Sequence, residues 1–148
     1  MKTLLTQLLA VCTVATLTTS AALAAEGWGE NYEKAAAQAK SEKKLLLLDF
    51  TGSDWCPWCI KLNKEVFSQP EFKEYAGKNL VLVEVDFPQT KPQPSAVKAQ
   101  NEHLQNKYGI QGYPTVVVLN AEGKKVGELG YQPGGAKPFI AELEKLKN

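Results

Sequence analysis

Arginine is absent from the 148 residues, histidine occurs once as His103, and the one methionine is Met1. Phosphate and nucleic-acid sites favour basic clusters and arginine forks, so no nucleic-acid partner is expected. The 17 basic residues are all lysine; they face 16 acids, and without Lys2 the two are equal. Cysteine is also scarce, with Cys12, Cys56 and Cys59 making up the set. The chain has no internal repeat and no low-complexity stretch that would signal a solenoid or a disordered tail.

The first 24 residues read as a cleaved signal peptide. Lys2 supplies a short positive start, Leu4 to Leu23 carries no charge, and Ala22-Leu23-Ala24 is a small-x-small cleavage site. A membrane anchor is the rival reading of so long an uncharged run. Its threonines and small-residue end favour cleavage after Ala24 and a periplasmic or otherwise exported product. Val11 stands before Cys12 where a lipoprotein leader carries a small residue, so lipid attachment is not expected. Cleavage leaves Cys56, Cys59 and His103, too few ligands for structural zinc, and neither metal nor cofactor is expected. Residues 25–148 are enough for one domain with one core.

The order of elements follows from composition and punctuation. Asn31 to Lys44, rich in Ala, Lys and Glu, predicts a helix. Leu45 to Phe50 has no polar alternation and predicts a strand buried on both faces. Ile60 to Phe67 has helical character. Gln69-Pro70-Glu71 reads as a break before a short helix from Phe72 to Gly77, and Leu80 to Val85 is a second strand. Pro88, Pro92 and Pro94 make 87–95 a loop. Ala96 to Tyr108 predicts a helix ended by Gly109. Thr115 to Leu119 and Lys125 to Leu129 form a hairpin across Asn120-Ala121-Glu122-Gly123. Pro138 to Lys147 is the last helix. Strands alternating with helices and finishing in a hairpin predict an α/β sheet, part parallel and part antiparallel.

The chemistry centres on Trp55-Cys56-Pro57-Trp58-Cys59. Two cysteines three apart, where a strand gives way to a helix, form either a small disulfide ring or a reactive dithiol. A helix start offers unpaired N–H groups and the positive end of the dipole, which favour a thiolate. A staple closing so short a loop constrains the unfolded chain little, so a structural role is the weaker reading. Haem attachment needs a histidine after the second cysteine, and Ile60 stands there.

Three segments carry a family resemblance: Trp55-Cys56-x-x-Cys59, Lys107 to Thr115 with Pro114, and Leu48-Asp49-Phe50. Together they resemble the thioredoxin superfamily over nearly all of residues 25–148, and within it the exported bacterial disulfide reductases and isomerases of the chlamydial periplasmic type. The resemblance implies a thioredoxin fold: a central mixed β-sheet flanked by α-helices, with an extended loop before the cis-proline segment. It implies Cys56 as exposed nucleophile, Cys59 as buried resolving thiol and a cis bond before Pro114. Asp49 is implied as the buried acid that moves protons to and from Cys59. It lies seven residues before Cys56, one more than is usual, and Gly52-Ser53 is expected to absorb the extra residue. Where the family often has a lysine beside this acid, the expected register gives Leu82.

Trp55, Trp58, Tyr113 and Pro114 are the expected substrate-binding residues, with Gly112 and Gly130 letting a partner backbone approach. His103 is expected to be an exposed helix residue without a role. The activity implied is thiol:disulfide exchange on protein disulfides or dithiols. Pro57-Trp58 lacks the histidine of strong oxidants, which favours a reductase or isomerase fed by a membrane-bound electron donor and acting as a monomer. A dithiol oxidase and a non-catalytic interaction module are the alternatives. A copper carrier on this fold needs further Met or His ligands.

Overall fold

The computed structural model describes residues 27–147; the expected signal peptide and its cleavage site lie outside the described residues. The centre is β2, Leu45–Thr51, and all seven of its residues are buried. A strand alternates its side chains between faces, and here each face has its own helices to meet. Leu45 and Leu47 enter one apolar cluster with Leu62, Val66, Phe72, Phe139 and Leu143. Leu46, Leu48 and Phe50 enter the other with Ala35, Ala39, Leu104 and Ile110. Burying one leucine fully contributes about 1.5–3 kcal/mol, so this uniformly apolar strand anchors both cores.

The element order is β1 (Trp28–Gly29), α1 (Tyr32–Glu42), β2, α2 (Pro57–Leu62), α3 (Pro70–Asn79), β3 (Leu80–Asp86), α4 (Ser95–Tyr108), β4 (Thr115–Leu119), β5 (Lys125–Leu129) and α5 (Ala136–Lys145). The sheet runs β1-β3-β2-β4-β5. β1 and β2 pair parallel to β3, whereas β4 is antiparallel to both β2 and β5. This is the expected thioredoxin fold with a mixed, helix-flanked sheet.

Several boundaries differ from the sequence reading for local reasons. Asn31 is the N-cap of α1, its side chain accepting the Lys34 N–H at 2.8 Å, and Lys43 ends the helix in the left-handed region at φ 53°. Pro70 begins α3 instead of breaking the chain, since a proline suits the first helical turn. α5 starts two residues earlier than expected, after Gly135 at φ 80°. The segment 60–67 is not one α-helix. Beyond Leu62 it widens into a π-turn, Asn63–Phe67, in which Ser68 N–H donates to the Asn63 carbonyl at 2.8 Å. Val66 and Phe67 are both buried. β1 was not expected; two residues carry too little pattern to read.

Candidate active site

Strand alternation places the acid. Asp49 follows Leu45 and Leu47 on the face that α2 covers, and Glu84 follows Leu80 and Leu82 on the same face of β3. The two are direct register partners, Asp49 opposite Glu84, while Leu82 sits opposite Leu47. The expectation of an apolar Leu82 beside Asp49 is therefore corrected: the neighbour is a second carboxylate. β3 runs to Asp86, which pairs with Thr51, and this register sets the assignment. Glu84 was legible as the polar interruption of Leu80 to Val85, but the expected register did not reach it.

Asp49 is buried, and its Oδ1 has no hydrogen-bond partner among the described residues. Burial, then the neighbouring charges of Glu84 and Asp86, push its carboxyl up to about 8. Glu84 is raised too, by burial first and then by Asp86. Both acids line one cleft with Cys59, Ile60, Asn63, Lys64 and Ser68, with a volume of about 320 Å3. That is room for several waters between Cys59 and bulk solvent. Changing Glu84→Gln removes one repelling charge, so Asp49 is expected to titrate at lower pH, read from its carboxyl carbon by NMR.

Gly52 turns the chain from β2 into α2. Its carbonyl accepts N–H groups from Trp55 at 3.2 Å and Cys56 at 2.9 Å, a tight turn between Asp49 and Cys56. A Cβ on Gly52 would collide with the Trp55 indole, so the turn needs a glycine on space alone. Cys56 is then the N-cap of α2, Pro57 occupies the first turn, and the Cys59 N–H points at Cys56 Sγ at 3.2 Å. Pro57 has no N–H to compete. Cys56 and Cys59 are joined in a disulfide with their Cα atoms 5.3 Å apart.

The expected exposure of Cys56 is corrected: only 5% of its surface is open, close to the 4% of Cys59. As N-cap, Cys56 turns its sulfur back over the first turn of α2. The exposed surface belongs to its neighbours, with Trp55 at 39%, Trp58 at 54% and Ile60 at 49%. Trp58 lies against Tyr131 with ring centroids 5.2 Å apart. Lys61 sits 5.2 Å from the Trp58 ring and 5.1 Å from the Tyr131 ring, and the Tyr131 hydroxyl donates to Glu65 at 2.7 Å. Tyr131, outside the expected site, thus supports one of its tryptophans.

Trp55 meets Tyr113 edge-on with centroids 6.0 Å apart. This contact brings the Tyr113–Pro114 segment beside the start of α2, and that peptide bond is cis. Gly130 comes close as well: a Cβ added there would lie 3.8 Å from the Pro114 carbonyl oxygen. A Cβ at Gly112 would meet nothing within 4 Å. His103 is exposed on α4. Among the described residues no group of three or more His, Cys, Asp and Glu side chains is placed to hold a metal ion.

A family model for the thioredoxin-like domain matches residues 32–147. The chain belongs to that family. Among curated members, disulfide bond reductase DsbH of Chlamydia pneumoniae is 40% identical over 115 residues, 78% of this chain and 69% of that protein. Thioredoxin-related protein DsbJ of the same organism is 33% identical over 103 residues, 70% of this chain but 30% of its own length. The solved structure of a DsbH oxidoreductase superposes with a TM-score of 0.76 at 34% identity, covering 87% of this chain and 92% of that one. The protein is thus a thioredoxin-like disulfide oxidoreductase with its cysteine pair at disulfide distance.

Proposed function

We propose that this thioredoxin-like protein is exported after cleavage at Ala24 and works as a reductase or isomerase of protein disulfides, as a monomer without cofactor. The observation that carries the direction is the buried carboxylate pair. Asp49 and Glu84 border Cys59 in one cleft. A strong dithiol oxidant is one whose reduced form is stabilised. The Pro57-Trp58 dipeptide brings no cation to the sulfurs. The cleft that Cys59 shares with Asp49 and Glu84 holds one lysine, Lys64, against two acids whose carboxyls burial raises. A thiolate there gains little, and the reduced form is not strongly stabilised.

The reaction runs as two exchanges. The Cys56 thiolate attacks one sulfur of the substrate disulfide, forming a mixed disulfide and releasing the other sulfur as a thiolate, which takes up a proton. Cys59 gives its proton to Asp49, whose carboxyl, raised to about 8, suits proton transfer near neutral pH. The Cys59 sulfur attacks Cys56 Sγ, the bond to substrate breaks, and the second substrate sulfur leaves as a thiolate that takes up the proton held on Asp49. Two electrons have passed from the cysteine pair to the substrate. A dithiol donor, membrane-bound in this reading, returns them. Trp55, Trp58, Tyr113 and Pro114 hold the substrate segment, which pairs with the backbone edge at Pro114 as an added strand does.

Denaturant unfolding of the two redox forms tests the direction. The oxidised protein is expected to unfold at the higher midpoint, with thiols kept reduced by excess dithiol in the other sample. A reduced form clearly more stable than the oxidised one would make the protein a dithiol oxidase. Failure of either form to exchange with any disulfide would leave an interaction module.

A further inference from the structure

The proline-rich segment after β3 is tied to the residues in front of Cys56 by bonds that the exchange chemistry does not use. The Asp54 carboxylate accepts four hydrogen bonds from three consecutive residues. Gln89 N–H donates to Oδ1 at 3.0 Å; Thr90 N–H at 2.7 Å, Lys91 N–H at 3.2 Å and the Thr90 hydroxyl donate to Oδ2. The Trp55 indole N–H donates to the Phe87 carbonyl at 2.8 Å. On the inner side Asp86 accepts the Ser53 N–H at 2.9 Å and its hydroxyl at 2.6 Å.

These bonds assemble a wall from three separate stretches of chain. The Phe87 ring stacks on Tyr113, centroids 5.2 Å apart at 23°, and Trp55 meets Tyr113 edge-on. One face of the wall is therefore continuous with the residue before Cys56 and with the Tyr113–Pro114 peptide. Loops between elements are the mobile parts of most folds. Three prolines stiffen the segment, but its place beside residues 53–55 rests on these bonds and on Gln93 Nε2 donating to the Asp86 carbonyl at 3.0 Å. Fixing that place before binding spares the cost of ordering it. The four donors, the Thr90 hydroxyl foremost, hold the Asp54 carboxyl far below the usual carboxylate range. A depressed carboxyl stabilises above its unfolded value and loses its effect only as pH falls through the folded one, so the tie persists through neutral and mildly acidic conditions.

We propose that Asp54 is a positioning residue for protein substrates: it fixes the 87–95 segment against the rim of the redox site, so that Phe87, Tyr113 and Trp55 present a preformed docking wall for an extended polypeptide carrying the disulfide. The inference rests on the disulfide-reductase reading above. The polypeptide is the occupant because the wall runs from the cysteine pair out to Phe87, on a different stretch of chain, and a small disulfide engages little beyond the sulfurs.

Steady-state reduction of insulin and of glutathione disulfide by the wild type, Asp54→Ala and Asp54→Asn tests this. Alanine removes all four acceptor contacts, whereas asparagine can keep its oxygen where three donors converge and loses only the Gln89 N–H. Asp54→Ala is therefore expected to show the full effect and Asp54→Asn an intermediate one. The KM for insulin is expected to rise about fivefold to tenfold with kcat little moved, and the ratio of kcat/KM for insulin over glutathione disulfide to fall by the same factor. Solvent exchange of the Trp55 indole proton is expected to quicken in parallel. An unchanged insulin KM in a variant with a fast-exchanging indole proton would overturn the proposal, as would an equal loss on both substrates. A wild type inactive on both would instead overturn the reductase reading beneath it.

Discussion

Cys56→Ser is expected to abolish turnover of a protein disulfide, while Cys59→Ser is expected to react once and stop. Cys56 Sγ sits at the start of α2 with the Cys59 N–H aimed at it, which favours its thiolate. Cys59 lies one turn further in, buried and lining one cleft with Asp49 and Glu84, and burial disfavours a thiolate there. On the proposed mechanism the Cys56 sulfur attacks and the Cys59 sulfur resolves. Losing the nucleophile is expected to lower the rate by about a thousandfold or more. In Cys59→Ser the first exchange proceeds, and the substrate stays joined to Cys56. Mass spectrometry of an acid-quenched mixture under non-reducing conditions checks this. A mixed disulfide accumulating on Cys59 in Cys56→Ser, with none on Cys56 in Cys59→Ser, would reverse the two roles.

Asp49→Asn is expected to change stability in opposite senses across the pH range. The folded carboxyl is raised to about 8 from an ordinary value near 3.8. A raised acid binds a proton in the folded state that the unfolded chain has already released, so the native protein loses stability as pH climbs between those values. Each pH unit in that window corresponds to about 1.4 kcal/mol at most, and solvent reaching through the cleft trims this. The asparagine pays no such penalty. Relative to wild type, Asp49→Asn is expected to gain about 2 kcal/mol or more on moving from pH 5 to pH 9, read from denaturant midpoints. On the proposed role of Asp49 as proton acceptor for Cys59, the same variant is expected to resolve the mixed disulfide more slowly near neutral pH. Parallel pH curves for the two proteins would show that Asp49 titrates at an ordinary value.

Much of this site was legible in the residues, and the gaps have physical causes. Leu45 to Phe50 reads as a doubly buried strand because nothing polar interrupts it before Asp49, and the Asn120–Gly123 turn marks the hairpin. The Trp55–Cys59 motif and the segment around Pro114 resemble a family closely enough to carry the fold. Glu84 escaped because strand register is a tertiary property: shifting β3 by two residues keeps every side chain on its face yet changes the neighbour of Asp49 from leucine to glutamate. The π-turn escaped because one i→i+5 bond inside an otherwise helical stretch leaves no mark on the sequence pattern. Tyr131 and Asp54 escaped for another reason. Each acts through a partner far away in sequence, Glu65 and Trp58 for the tyrosine and 89–91 for the aspartate, and no local pattern encodes such a meeting.

β1 is two residues long, yet it covers the outer side of a strand prone to misassociation. Leu80 to Val85 is apolar and rich in valine, carries one charge and has no proline, the profile of a segment that stacks on copies of itself. On one side it is sealed by β2. On the other, Trp28 and Gly29 occupy the places opposite Leu82 and Val83, and the Trp28 ring is pinned to Phe67 with centroids 5.0 Å apart. The opposite margin of the sheet, β5, protects itself with Lys125 and Glu128 and a short span. The molecule thus meets the hazard of fibrillar stacking unequally, by charge on one flank and by a single anchored tryptophan on the other.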